Sequence, residues 1–215
     1  MREQVIKSIL ENKIIAIVRG ADVEQAVQSA KAVYNGGIKL IEVTFNQKSP
    51  KNFSDTVKAI RTIKENCPNM IVGAGTVLDK NQVDLAISAG AEYIVSPDTD
   101  EEVIKYAVKK GLVTLPGAFT SSEIKKAYNA GADFVKLFPC LDVNYLKALK
   151  APLSHIKIIA VGGVNTENAV DFLNAGAVGL GIGSSLINKK YLENGNYDKI
   201  EEIAKVLVNK VKGLK

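Results

Sequence analysis

The feature that most constrains how this chain can fold is an eightfold alternation of short β-branched runs with longer stretches that carry apolar residues at helical spacing. Strands that alternate with helices form βα units and a parallel sheet. Eight such units without a linker predict one α/β domain over residues 1–215, a closed (β/α)8 TIM barrel. An open doubly wound sheet is the competitor, but no GxGxxG motif follows the first run. The strand candidates are IIAIVRG from Ile14, LIEVTF from Leu40, MIVGAGT from Met70, YIVSP from Tyr93, VTLPGA from Val113, FVKLFP from Phe134, IIAVGG from Ile158 and VGLGIG from Val178.

Start and stop signals for helices lie between these runs. Residues that favour an N-cap or first turn are Asp22, Ser49-Pro50, Asp79, Thr99, Ser121, Asp142 and Thr166. Four helices are expected to end on a glycine step, which suits a left-handed C-cap. These steps are NGGI at 35–38, SAGAEY at 88–93, NAGADF at 129–134 and NAGAVG at 174–179. An extra N-terminal helix from about Glu3 to Asn12 would close the bottom of the barrel, and YDKIEEIAKVLVNKVKGL would be the eighth barrel helix.

Composition and charge narrow the functional classes. The chain is 47% hydrophobic and 24% charged, an ordinary globular balance. Its net charge of +5 comes from lysines scattered over predicted helix faces without interleaved aromatic residues, so we expect no nucleic-acid partner. No apolar run approaches the roughly 18 residues of a membrane span, and the charged start MREQVIKSILENK is unlike a signal peptide. Cys67 and Cys140 lack metal-like or redox-like spacing, so we expect no metal site. Together with the absence of a long apolar run, this predicts a cytoplasmic protein with no membrane partner.

The run GADFVKLFPC contains the first candidate for chemistry, a lysine inside a buried strand. Successive side chains of a strand point to opposite faces. If Phe134 and Phe138 face the barrel interior, Lys136 does too, and the residues between them pack on helices. Burial of an unpaired ammonium costs several kcal/mol or lowers its pKa. The position of Lys136 therefore indicates a functional role.

Glu42 in the run LIEVTF is the expected partner of this lysine. The helix-facing residues of that run must be apolar, which places Glu42 and Thr44 on the interior face. A buried lysine of lowered pKa attacks carbonyl carbons and forms a Schiff base, and a nearby carboxylate can move the protons. Lys136 with Glu42 is thus the equipment of a class I aldolase. A buried ion pair that only fills the barrel is the structural alternative.

Two glycine motifs predict a phosphate site. VGGVNTENA at 161–169 follows the seventh strand candidate, and GIGSSL at 181–186 follows the eighth. Glycines at the end of the seventh strand, and Gly-Ser-Ser opening a short helix after the eighth, expose backbone N–H groups. The loops after strands seven and eight often bind phosphate in such barrels. Tight turn geometry alone is the alternative explanation for these glycines.

Together the motifs resemble those of the bacterial aldolases of 2-keto-3-deoxy-6-phosphogluconate and 4-hydroxy-2-oxoglutarate. The matching segments, in order along essentially the whole chain, are IEVTF, VGAGTV, LPGAFTSSE, VKLFP and VGGVNTEN. The resemblance implies a homotrimeric (β/α)8 barrel that reversibly cleaves a 4-hydroxy-2-oxo acid to pyruvate and an aldehyde, which we expect to be phosphorylated. It implies no metal and no organic cofactor.

The same resemblance assigns roles to individual residues. Lys136 would form the Schiff base and Glu42 would be the general acid and base. The substrate would be bound by Arg19, Thr44, Asn46, Thr76, Pro97, Phe138 and Val161, and its phosphate by Gly162, Gly163, Gly183, Ser184 and Ser185. The only histidine, His155, precedes the seventh strand and would lie at the wrong end of the barrel for a ligand.

The chain departs from the common family pattern at two positions. Asn46 stands where many members have an arginine for the substrate carboxylate, and Arg19 could supply that cation as a bidentate partner. A surface arginine at a strand end is the alternative reading of Arg19. Val161 stands where gluconate-type members often have threonine. Both Asn46 and Val161 resemble enzymes of the galactonate epimer, so the preferred configuration at C4 stays open.

Two other functional classes compete with an aldolase. A sugar-phosphate epimerase or isomerase on this barrel would need paired acids, or histidines with a metal, at strand ends. The strand-end carboxylates here are Glu42 and, in a loop, Asp98. A non-catalytic binder of phosphorylated metabolites would keep the glycine loops without turnover, but Lys136 together with Glu42 argues against it.

Overall fold

The structure is a computed structural model that describes residues 2–48 and 53–214, and it alternates strands with helices as the sequence predicts. The strands are β1 (Ile14–Val18), β2 (Leu40–Thr44), β3 (Ile71–Gly75), β4 (Tyr93–Val95), β5 (Val113–Leu115), β6 (Gly117–Ala118), β7 (Val135–Leu137), β8 (Ile158–Val161) and β9 (Gly179–Ile182). The helices are α1 (Arg2–Asn12), α2 (Val23–Asn35), α3 (Phe53–Asn66), α4 (Lys80–Ala89), α5 (Glu101–Lys109), α6 (Ser121–Asn129), α7 (Val143–Lys150), α8 (Ala169–Asn174), α9 (Lys189–Glu193) and α10 (Tyr197–Val211). Within the described ranges, no helix is both long and apolar enough to cross a bilayer.

All strand pairs are parallel, in the order β5-β4-β3-β2-β1-β9-β8-β7-β6. The two end strands, β5 and β6, are consecutive pieces of one extended run that Pro116 interrupts. The backbone N–H of Lys136 donates to Pro116 O at 2.9 Å, and that of Phe134 donates to Thr114 O at 3.2 Å. The Thr114 bond lies on the β5 side of the break, and on the other side Phe138 N, just after β7, donates to Ala118 O of β6 at 3.0 Å. The predicted (β/α)8 barrel is therefore confirmed, with its fifth strand divided because proline has no N–H for the ladder.

The strands separate two apolar layers. The outer layer packs the strands on the helices and includes Val43 and Leu137, as the alternation predicts. The inner cluster fills the barrel and includes Leu40, Phe134 and Ile159. Since Leu40 and Phe134 point inward, Glu42 and Lys136, each two residues further on, point inward as well.

Helix α1 closes the lower end of the barrel. Val5 and Ile9 on this helix are buried and belong to the inner cluster, and Lys13 N donates to Ile9 O as the chain enters β1. Arg2 forms a 2.7 Å ion pair with Asp133, which precedes β7. The predicted extra N-terminal helix is confirmed, and it leaves the opposite end of the barrel open for a site.

The helix signals of the sequence are mostly confirmed. The N-caps Asp22, Asp79 and Asp142 accept hydrogen bonds from backbone amides of their own helices. The four glycine steps each contain a residue of positive φ: Gly37, Gly90, Gly131 and Gly176. The expected start signal Ser49-Pro50 lies outside the described residues. A short helix was expected to open at Gly183-Ser184-Ser185, but α9 begins only at Lys189, after the N-cap Asn188.

Two helix starts, those of α5 and α8, lie close to the expected residue but not on it. The N-cap of α5 is Asp100, because Thr99 donates its hydroxyl to Gly117 O at 2.6 Å. Ser121 is the first residue of α6, as predicted, and Thr120 is its N-cap and forms a capping box with Glu123. Helix α8 starts after Asn168, later than Thr166 suggests.

Candidate active site

Lys136 lies in the middle of β7 and points into the upper half of the barrel. It is 3% exposed, and its Nζ lies 4.9 Å from the centroid of the Phe138 ring. Burial lowers the pKa of Lys136, and the nearby charge of Arg19 lowers it further, while Glu42 opposes the shift. A larger share of the amine is therefore neutral near physiological pH than in a surface lysine, and the neutral amine is the nucleophilic form.

Glu42 lies in β2 and is 2% exposed. Burial raises the pKa of its carboxyl group, and the charges of Lys136 and Arg19 limit the rise. Its Oε1 is buried without a hydrogen-bond partner among the described residues. For both Glu42 and Lys136 desolvation outweighs the attraction between them. Both shifts favour the uncharged forms, which suits proton exchange better than a permanent ion pair.

The motif VGAGT makes room for the carboxylate. Gly75 is the last residue of β3, and a Cβ at this position would overlap Glu42 Oε1. At Gly73, which faces inward on the same strand, a Cβ would overlap the ring of Tyr93. The two glycines are therefore required by close contact inside the barrel.

A cavity of about 480 Å³ opens at the upper end of the barrel, and neither Lys136 nor Glu42 belongs to its wall, although Phe138, whose ring lies 4.9 Å from Lys136 Nζ, does. Its wall contains eight of the residues expected to bind substrate or phosphate: Arg19, Phe138, Val161, Gly162, Gly163, Gly183, Ser184 and Ser185. Arg19 is exposed to solvent, but its charge lowers the pKa of both Glu42 and Lys136. That coupling favours a role in the site over an isolated surface position.

The glycine loops form one side of the cavity. Gly162 and Gly163 both have positive φ, at 102° and 72°, which favours glycine. Leu186 N and Ile187 N donate to Gly183 O, and the Ser185 hydroxyl donates to Val164 O, which ties the two loops together. Among the described residues, the backbone N–H groups of Ser184 and Ser185 have no acceptor. These amides are suited to an anion, whereas the Ser185 hydroxyl already has a partner.

The remaining expected substrate residues lie around the barrel mouth outside the wall of that cavity. Thr44 ends β2 and is 8% exposed, and its carbonyl accepts from the Thr56 hydroxyl at 3.3 Å. Asn46 is exposed and accepts from Lys48 N. Thr76 has a positive φ of 56° directly after β3. Pro97 is exposed at the end of β4, and its carbonyl would overlap a Cβ at Gly117.

Sequence reasoning missed several residues of the cavity wall. Asn165 and Lys189 are polar members, and Ile17, Val164, Gly181 and Ile187 are also in the wall. Asn165 lies within the quoted VGGVNTENA motif and could have been found there. Lys189 gave no signal, because it lies on the short helix α9, which brings it to the rim.

The only histidine and the two cysteines of the chain were not expected to form part of the site. His155 precedes β8, and its ring packs edge-on against Tyr128 at 5.2 Å. Both cysteines are buried and free, and burial raises the pKa of Cys140 to about 12. In the part of the chain that the structure describes, no group of three or more His, Cys, Asp or Glu side chains could hold a metal ion.

Comparisons with known proteins agree on one family. The family described as KDPG and KHG aldolase matches residues 5–203. The 2-dehydro-3-deoxy-6-phosphogalactonate aldolase of Escherichia coli K12 is 39% identical over 176 residues, 80% of this chain and 83% of that protein. The KHG/KDPG aldolase of the same organism is 33% identical over 202 residues, 93% of this chain and 92% of that protein.

A solved structure extends the agreement to the fold. The KDPG aldolase of Legionella pneumophila, with pyruvate captured at low pH as a covalent carbinolamine intermediate, superposes with a TM-score of 0.84. It is 25% identical, and the match covers 94% of this chain and 97% of that one.

Proposed function

Because this chain belongs to the family of KDPG and KHG aldolases, we propose that it is a class I aldolase that forms its Schiff base on Lys136. It cleaves a 4-hydroxy-2-oxo acid reversibly to pyruvate and an aldehyde. The observation that carries the proposal is the buried amine of Lys136 on one wall of the barrel with the buried carboxylate of Glu42 across from it. The captured carbinolamine of the Legionella enzyme supports covalent chemistry with pyruvate.

The chemistry follows from the two groups. Neutral Lys136 adds through Nζ to the C2 carbonyl of the substrate, and the carbinolamine takes up one solvent proton and loses water to give an iminium ion. Glu42 accepts the proton of the C4 hydroxyl, the C3–C4 bond breaks, and its electrons form the C2–C3 double bond of an enamine. The aldehyde leaves. Glu42 returns a proton to C3, and water hydrolyses the iminium ion to release pyruvate, the free amine and the solvent proton.

The other residues of the mouth bind the substrate. Arg19 holds the C1 carboxylate in place of the arginine that Asn46 replaces, and Phe138 packs beside the reacting carbons. Thr44, Asn46, Thr76 and Pro97 complete the pyruvate side. The backbone amides of Gly162, Gly163, Gly183, Ser184 and Ser185 bind the phosphate of a six-carbon substrate.

The substrate is a 2-keto-3-deoxy-6-phosphosugar acid of gluconate or galactonate type, 4-hydroxy-2-oxoglutarate, or more than one of these. The products besides pyruvate are D-glyceraldehyde 3-phosphate from the sugar acids and glyoxylate from the dicarboxylate. Val161 and Asn46, together with the 39% identity to the galactonate enzyme, favour the galactonate epimer. The protein would act as a cytoplasmic homotrimer in sugar-acid breakdown of the Entner–Doudoroff type.

The first test is to trap the Schiff base. The protein is incubated with pyruvate and borohydride, and the added mass is located by peptide mass spectrometry. A reduced pyruvate adduct on Lys136 is expected. Lys157, which lies 5.6 Å over the ring of Phe134 at the other end of the barrel, is an internal control that should stay unmodified. No adduct, or an adduct elsewhere, would favour a binding protein or an isomerase.

A further inference from the structure

Two buried polar atoms inside the barrel have no partner. Glu42 Oε1 and Tyr93 Oη are both buried without a hydrogen bond among the described residues. Tyr93 lies at the start of β4 and is completely buried in the inner cluster. An unsatisfied buried polar group is rare in folded proteins and usually marks a bound water or a functional contact. The proposed mechanism uses Glu42, but it gives Tyr93 no role.

The strand register brings the two side chains toward one another. Glu42 is aligned with Gly73 of β3, and Gly73 is aligned with Tyr93 of β4. The residue between them therefore has no side chain. A Cβ at Gly73 would overlap the Tyr93 ring, so the ring extends from β4 across β3 in the direction of β2.

The side chain of Glu42 lies over the same strand, β3, from the side of β2. A Cβ at Gly75 would overlap its Oε1, so the carboxylate also lies over β3. Residues two apart on a strand are separated by about 6.6 Å. The phenol ring and the carboxylate thus lie over inward-facing glycines two residues apart on one strand, and the charge of Glu42 is close enough to raise the pKa of Tyr93.

From this arrangement we infer that Tyr93 is a positioning residue for Glu42, whose ionised carboxylate is held by a hydrogen bond from the Tyr93 hydroxyl that passes through one enclosed water. This inference rests on the proposed function, in which Glu42 moves the protons. A hydrogen bond to a charged group is stronger than one between neutral groups, and it stabilises the ionised form. The bond fixes the carboxylate toward the substrate and keeps it available as a base.

The charges around the pair are consistent with this direction of donation. Lys136 on β7 and Arg19 after β1 face Glu42 and stabilise its carboxylate. Burial raises the pKa of Tyr93 well above its usual value, and the charges of Glu42 and Glu92 raise it further. The phenol therefore keeps its proton at every pH at which the enzyme would work, and it stays a donor.

The test compares Tyr93→Phe with Thr114→Val. Thr114 on the neighbouring strand β5 also has a buried hydroxyl without a partner among the described residues. Its neighbours in sequence, Val113 and Leu115, belong to the inner cluster, so Thr114 points away from the barrel interior. Both variants remove one buried hydroxyl and nearly no volume. Only the first removes it from the side of Glu42.

Two readouts separate positioning from a structural effect. In Tyr93→Phe the acid limb of the kcat/KM profile should move to higher pH by about one unit, because the carboxylate loses a donor. Deuterium exchange into the methyl group of pyruvate, measured below that limb, should slow about tenfold for the same reason. Thr114→Val should leave both unchanged. An unshifted acid limb in a folded Tyr93→Phe would overturn the inference.

A second probe applies if Tyr93→Phe does not fold. The unmutated sequence is produced with 3-fluorotyrosine at its seven tyrosine positions, which makes the phenol a stronger donor. The acid limb should then move to lower pH, and a stationary limb would contradict the role of Tyr93. Borohydride trapping with pyruvate is run on every sample. Failure of the unmutated protein to form the adduct would reject the proposed function itself, whereas adduct formation with unshifted profiles would reject only the role of Tyr93.

Discussion

The lower and upper halves of the barrel interior differ in chemistry although the same strands build both. The lower half is filled by apolar side chains such as Val5, Ile9 and Phe134. The upper half contains Glu42 and Lys136, which are the only charged residues buried among those that the structure describes. Apolar burial stabilises the fold, whereas buried charge lowers stability and raises reactivity. The barrel therefore separates the part that holds it together from the part that reacts.

Two lysines near phenylalanine rings give the most direct test of this difference. Lys136→Ala should abolish cleavage and pyruvate trapping, because no imine can form without the amine. Lys157→Ala removes the exposed lysine of the lower end and should leave both unchanged. Retro-aldol turnover by Lys136→Ala, measured as pyruvate release, would show that Lys136 is not the nucleophile.

Removal of the buried carboxylate is expected to have the next largest effect. Glu42→Gln should reduce kcat by about 10²–10⁴-fold, because proton transfer loses its acid and base. Since burial raises the pKa of Glu42, the acid limb of the unmutated enzyme should lie above the usual carboxyl range, with activity rising as Glu42 ionises. That limb should be absent from Glu42→Gln. An unchanged rate across the pH range would limit Glu42 to a structural role.

Substitution of two glycines tests whether close packing has different effects in the upper and lower halves of the barrel interior. In Gly75→Ala the new Cβ would overlap Glu42 Oε1, and the displaced carboxylate should lower kcat about 10²-fold. In Gly179→Ala the new Cβ would lie 2.8 Å from Ile159 Cδ1 near the lower end. This control should lower the melting temperature and leave kcat unchanged in the folded protein. Equal losses of kcat in the two variants would mean that the halves are not independent.

The smallest effect is expected in helix α1, which closes the lower end of the barrel. Ile9→Val removes one methylene from a side chain that is 1% exposed, and it should lower the free energy of unfolding by about 1 kcal/mol. Val206→Ala, which shortens an exposed side chain of α10, should change it little. Chemical denaturation measures both, and neither variant should alter kcat/KM. A loss of activity in Ile9→Val would show that the packing of helix α1 affects the active site.

Much of this architecture could be predicted from sequence because it depends on local patterns. The alternation of apolar residues predicted the barrel, the inward direction of Lys136 and Glu42, and the layer that packs on the helices. The glycine steps predicted left-handed helix ends, since few other residues adopt that conformation. The resemblance of the motifs predicted the family, which the match over residues 5–203 confirms.

Other features depend on contacts between distant parts of the chain. Lys189 reaches the rim on helix α9, which begins later than the Gly-Ser-Ser motif suggests. The fifth strand looked continuous in sequence, but Pro116 interrupts its ladder. Sequence alone could not show that Asp100 rather than Thr99 caps α5, since the Thr99 hydroxyl is bound by a carbonyl 18 residues away.

The sequence by itself thus determined the barrel, the faces of its strands and the pair of residues available for chemistry, because each follows from spacing along one segment. Only the tertiary structure decided how the pKa values of those two residues are shifted and which side chains approach them. The pKa shifts of Lys136 and Glu42 arise from burial and from charges on other strands. The approach of Tyr93 to Glu42 exists because the strand between them carries glycine at both points of contact. Desolvation and strand register are properties of the closed barrel, and no single segment contains them.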